Sequence, residues 1–86
     1  GQLLDIILRC KRVYVNEIDV PSLKYNTVYM QSVLHHQNFY EGKDFEISGI
    51  AIYHRQRKKF QLIDGYHRTA LNMKNEVKKA QYIILE

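Results

Sequence analysis

The stretch that most constrains the fold runs from Phe60 to Lys74, FQLIDGYHRTALNMK. An apolar run, Phe60-Gln61-Leu62-Ile63, stops at Asp64-Gly65, and a segment of helical periodicity begins at once. Ala70, Met73 and Val77, with Leu71 beside them, fall at the three-and-four spacing of one helix face. The first-turn N–H groups of a helix have no intrahelical acceptor, and together with the helix dipole they favour an anion. Gly65 has no Cβ and so lets a ligand approach the backbone. Arg68 falls in the first turn, where side chains lean back toward the N-terminus, and its guanidinium is predicted to close over an anion held there. With the backbone donors of Tyr66, His67 and Arg68 and the Thr69 hydroxyl, the turn Gly65–Thr69 is a candidate phosphate site.

Asp64 and His67 are the candidate catalytic groups at this turn. Asp64 reads either as the helix N-cap, accepting the N–H of Tyr66 or His67, or as a catalytic or metal-binding carboxylate at the lip of the site. Asp-Gly also fits a type I′ hairpin turn, but the helical pattern after it argues against one. His67 reads as a donor to a phosphate or as an ordinary surface histidine.

Upstream, Leu3–Arg9 is apolar almost all round with Asp5 between, and reads as a short helix that is buried or docks on another segment. Arg12–Asn16 alternates, with Val13 and Val15 on one face of a strand. The segment Asn16–Pro21 is read as leaving that strand, with Pro21 as the stop. Asn26 or Thr27 can cap a second helix, whose Tyr29, Met30, Val33 and Leu34 form the stripe against the sheet. Asn38–Asp44 reads as a loop around Gly42, and Phe45–Tyr53 as a strand in which Gly49 marks a bulge or a close backbone contact. His54–Lys59 links it as a hairpin to the strand before Asp64. Ala80–Leu85 is a last strand, expected beside the one that precedes the helix, through a right-handed crossover. The sum is one α/β or α+β domain over 1–86, a mixed sheet of about four strands with helices packed on it. The chain opens at Gly1 without a Met, which reads as a domain taken from a longer protein.

The 86 residues are 45% hydrophobic, enough for one core, and carry a net charge of +4, which favours anionic partners without naming them. The densest basic run is Arg55, Arg57, Lys58 and Lys59. If the strand continues through it, Arg55, Arg57 and Lys59 share a face; the run is either a solvated hairpin tip or a contact for nucleic acid. The single cysteine, Cys10, excludes an internal disulfide, fits a reducing, cytoplasmic setting, and reads as an inert small hydrophobe. No apolar run of about 18 residues exists, so no membrane span is expected. His35 and His36 are adjacent and do not share a helix face, no cysteine pair is present, and no bound metal is expected.

LIDGYHRTAL resembles the signature of the ParB/sulfiredoxin-like superfamily, in which a strand delivers a Gly-x-x-Arg turn to a helix. RVYVNEIDVPSL is similar to that family's opening strand and the x-I-x-V-P-x-L segment after it; the resemblance covers roughly 12–86. It implies a nucleotide bound by its phosphates at Gly65–Thr69, ATP or CTP, with Mg2+ carried by the nucleotide. Family members work in DNA partition, reduce oxidised cysteine, phosphorylate free serine, or have been called nucleases, so the fold narrows the ligand more than the reaction. The expectation is a regulatory or DNA-associated binding module. The alternative is a small phosphotransferase or nucleotide hydrolase, with Asp64 or Glu17 as base and Arg68 on the phosphate. A third reading has the groove serve assembly, as a homo-oligomer or with missing domains of the same chain. Tyr66 stands where the sulfiredoxin branch carries its reactive cysteine, so sulfinic-acid reduction is not expected. Gly49-Ile50-Ala51-Ile52 replaces the family's Pro-Ile-x-Val, and no helix-turn-helix follows for site-specific DNA binding.

Overall fold

A computed structural model describes residues 1–35 and 45–86. The predicted loop 38–44 lies outside the described residues, as does His36. The elements are α1 (Gln2–Arg9), β1 (Val13–Asp19), a 3-10 turn (Val20–Ser22), α2 (Thr27–His35), β2 (Ile50–His54), β3 (Lys59–Asp64), α3 (Tyr66–Lys74) and β4 (Lys79–Leu85). The strands form one mixed sheet in the order β1-β4-β2-β3, so the chain is of the mixed α/β class. β4 runs antiparallel to β1 and parallel to β2, and β2 and β3 form an antiparallel hairpin.

Pairing overrides local propensity in three places. β1 does not end at Asn16: Glu17, Ile18 and Asp19 remain paired, opposite Gln81, Ala80 and Lys79. The strand expected over Phe45–Tyr53 is regular only from Ile50. Before that point the chain reaches β4 through isolated bonds, Ser48 N–H to Gln81 O and Ile83 N–H to Gly49 O. Third, β4 is not beside β3. β2 lies between them, and because β3 opposes β2 while β4 parallels it, β3 and β4 are antiparallel. The crossover rule for parallel strands therefore does not apply to α3.

The core lies on one face of the sheet. Ile18, Ala51, Leu62, Tyr82 and Ile84 contribute the strand side, and Met30 and Val33 of α2 and Ala70 of α3 cover them. The side chain of Asn26 caps α2, its Oδ1 accepting the Tyr29 N–H at 3.0 Å. Of the predicted stripe on α2, Met30 and Val33 are buried while Tyr29 and Leu34 stay exposed. α3 stops at Lys74, so Val77, the last member of the three-and-four series, lies beyond it. Glu76 takes the left-handed conformation (φ 58°), its N–H bonds Met73 O, and the Val77 N–H bonds Asn72 O. That pair of bonds is a Schellman cap built without glycine. α1 forms as expected but buries none of its residues, with Leu4 57% and Leu8 73% exposed. Among the described residues no helix is long and apolar enough to cross a membrane.

An ion cluster ties the end of β4 to the hairpin and to β1. Glu86 accepts from Arg55 Nε at 2.9 Å and lies 3.4 Å from Arg12 Nη1. The Arg55 hydrogen bond is the main cause holding the Glu86 carboxyl below the ordinary glutamate range, against an upward push from burial; the Arg55 and Arg12 charges add to the lowering. A carboxyl with a lowered folded pKa stabilises the fold above its unfolded value and loses that contribution as pH falls through the folded value. Melting curves of wild type and Glu86→Gln are therefore expected to differ at neutral pH and to converge below about pH 4, under the free glutamate value. A difference that persists unchanged at pH 3 would show that the carboxylate charge is not what stabilises the cluster.

Candidate functional site

β3 delivers the chain to Gly65, and α3 starts on the next residue. Gly65 has φ 89°, the left-handed region, and its backbone is packed against Ser48 and Gly49. A Cβ on Gly65 would overlap the Ser48 carbonyl oxygen and the Gly49 Cα; one on Gly49 would overlap the Asp64 carbonyl oxygen. The two glycines are thus a close backbone crossing, the contact that Gly49 signalled, and the β2–β3 register shifts beside it between Ile50 and Ala51.

Asp64 is not the N-cap of α3. Gly65 occupies that position, and no side-chain bond caps the helix. Asp64 Oδ1 instead accepts the N–H of Gly65 at 2.8 Å. Tyr66 joins the two helix starts. Its hydroxyl accepts the Asn26 N–H at 3.0 Å and donates to Leu62 O at 3.3 Å, and its ring meets that of Tyr29 edge-on, centroids 4.7 Å apart. Arg68 is exposed, stacks over Phe45 at 4.7 Å and donates from Nη1 to Ile47 O at 3.1 Å. One of its five N–H donors is engaged there. It therefore bridges α3 to the 45–47 segment, a contact with no sequence signal.

Thr69 does not belong to a surface site. Its side chain is fully buried and its Oγ1 lies 2.8 Å from the Tyr82 hydroxyl. Asn72 Nδ2, half-buried beside this pair, donates to Ser48 Oγ at 2.8 Å. Burial pushes the Tyr82 phenol above its ordinary value, while hydrogen bonds to Thr69, Asn72 and Ser48 pull the other way. The phenol stays neutral and braces the turn from below. Alternation with Ile84 in β4 was the available signal for Tyr82; its polar partners come from α3 and from the segment before β2 and gave none.

A groove of about 640 Å3 opens over the turn. Asp64, His67 and Arg68 stand at its polar side, and Ile47, Ile50, Ile63 and Ile83 give it an apolar wall. Glu17, the other candidate base, is on β1, separated from β3 by β4 and β2, and does not line the groove. Of the basic run, Arg55 is committed to Glu86 and the turn 55–58 breaks the strand, so Arg55, Arg57 and Lys59 do not form one strand face. Lys58 sits in that turn with φ 53°. Among the described residues no three His, Cys, Asp or Glu side chains gather as a metal-binding group. No protein-family model matches the chain, and no curated protein matches it.

Proposed function

We propose that the chain is a ParB/sulfiredoxin-like domain that binds a nucleotide, through its phosphates, at the Gly65–Arg68 turn, and acts as a binding module. The observation that carries this reading is the groove over that turn, where a glycine-started helix and Arg68 face an apolar wall. First-turn N–H groups and most of a guanidinium fork suit the several oxygens of a phosphate, and the isoleucines suit the rest of a nucleotide. Among the described residues Asp64 is the acidic side chain lining the groove, and it would meet a magnesium ion carried by the nucleotide. Binding is favoured over catalysis because Glu17, the other candidate base, is remote, which leaves Asp64 as the one candidate carboxylate at the groove among the described residues. A single cysteine suits a cytoplasmic setting.

Calorimetric titration with ATP, CTP and pyrophosphate tests the reading. Wild type is expected to bind at least one of them at millimolar concentration or below. Arg68→Ala is expected to lose about 1.5–3 kcal/mol, roughly ten- to a hundredfold in affinity. Arg68→Lys is expected to recover only part, since an ammonium is not a planar fork. Melting curves show whether loss of the Ile47 anchor contributes. If wild type binds none of the three, or Arg68→Ala binds as tightly as wild type, the turn is only a helix start.

A further inference from the structure

A second concavity lies at the outer edge of β3. There the chain before α2 runs alongside the strand: Lys24 N–H donates to Phe60 O at 2.9 Å, and Leu62 N–H donates to Lys24 O at 2.7 Å. This bridge brings Lys24, distant in sequence, beside the β2–β3 hairpin. A groove of about 350 Å3 forms between them, lined by Lys24, Tyr25, His54, Arg57, Lys59 and Phe60. That is the low end of ligand-sized pockets, roughly 300 Å3 upward. Among the described residues no Asp or Glu lines it. The ion pairs described for the hairpin involve Arg55, whose charge is taken up by Glu86, whereas Lys24, Arg57 and Lys59 are exposed. The cations of this groove are therefore not the consecutive run Arg55–Lys59. They come from two segments and flank two half-buried aromatic rings.

We propose that this groove binds single-stranded nucleic acid, with Lys24, Arg57 and Lys59 on backbone phosphates and Tyr25 and Phe60 against an unpaired base. Three cations spread over two segments suit successive phosphates better than one. The aromatic wall selects the strand state. A base in a duplex is covered on both faces by its neighbours and offers only an edge, while an unpaired base offers a π-face to stack. The groove shares Asn26 and Tyr66 with the groove over the turn but none of its cations, so this inference stands apart from the nucleotide reading.

Fluorescence anisotropy with a labelled oligothymidylate about twelve nucleotides long, within the site sizes of single-strand binders, tests it. Wild type is expected to bind at low salt, with affinity falling linearly on a log–log salt plot. The triple variant Lys24→Ala/Arg57→Ala/Lys59→Ala is expected to lose tenfold or more, and its salt slope to fall in magnitude by about 2. A charge-matched triple, Arg9→Ala/Lys11→Ala/Lys78→Ala, removes three exposed cations elsewhere and is expected to lose far less. Tyr25→Leu is expected to weaken binding several-fold with the slope unchanged, which a purely ionic patch would not show. Pyrophosphate titration of the groove triple variant is expected to match wild type, so this proposal and the nucleotide reading fail separately. Equal losses in the two triples overturn the proposal. So does a duplex of the same length binding as tightly as the single strand, polyglutamate competing as well as unlabelled oligothymidylate, or no binding at low salt.

Discussion

Gly65→Ala is expected to lower the melting temperature by more than 10 °C. Two costs add. A non-glycine residue held at φ 89° carries about 1–3 kcal/mol of backbone strain. The new methyl would also overlap the Ser48 carbonyl oxygen and the Gly49 Cα. Those atoms are backbone and cannot rotate aside, so the β3–α3 turn and the 48–49 segment must move apart. That movement pulls on Ser48 N–H to Gln81 O and Ile83 N–H to Gly49 O, the bonds that hold the segment to β4. A loss of about 3 kcal/mol is a large share of the total stability of a domain this size, and each kcal/mol moves its melting point by about 4–8 °C. Gly49→Ala is expected to be comparably harmful, because its methyl would strike the Asp64 carbonyl oxygen. Gly1→Ala, with nothing within 4 Å, is the neutral control. A Gly65→Ala melting point within about 3 °C of wild type would mean that the crossing relaxes at little cost. Ligand titrations on this variant are informative only where its melting curve shows it folded.

Tyr82 should give the second large effect. It is the largest fully buried side chain among the described residues, and it packs between β4 and α3 while bonding Thr69. Tyr82→Ala is expected to cost about 3–5 kcal/mol, the range for deleting a buried aromatic ring, and to leave little folded protein at physiological temperature. Tyr82→Phe separates packing from bonding. It keeps the ring but leaves the fully buried Thr69 hydroxyl without its partner, at an expected cost of about 1–3 kcal/mol. Adding Thr69→Val removes the orphaned hydroxyl, so the double variant is expected to be less destabilised than the sum of the singles. Denaturant unfolding of the four proteins closes the cycle. Strict additivity would show that the 2.8 Å contact contributes no coupling.

The strand-to-helix passage at Asp64–Gly65, the Asn26 cap and the burial of Met30, Val33, Ala70 and Leu71 were legible in the sequence. Each depends on residues within one or two turns of each other, where periodicity and capping chemistry act directly. The close contact at Gly49 was legible as a glycine inside a strand pattern, although its partner was not. The end of α3 was misread because the left-handed cap position carries Glu76 instead of the glycine that usually marks it.

Long-range pairing decided the rest. β2 separates β3 from β4, which reverses the expected relation of the last two strands, and β4 holds Glu17–Asp19 in the strand although Glu17 and Asp19 are poor strand formers. The same distant contacts reassigned the polar residues of the turn. Thr69 and Arg68 are adjacent on the helix, yet Thr69 faces Tyr82 in the core while Arg68 crosses to Ile47 at the surface. Asp64 bonds the N–H of its neighbour Gly65, at the point where that glycine crosses Gly49. Local sequence determined that a glycine would start a helix bearing Arg68 in its first turn. Which of that turn's side chains face solvent was decided by the sheet beneath it, because burial depends on neighbours that no short-range pattern encodes.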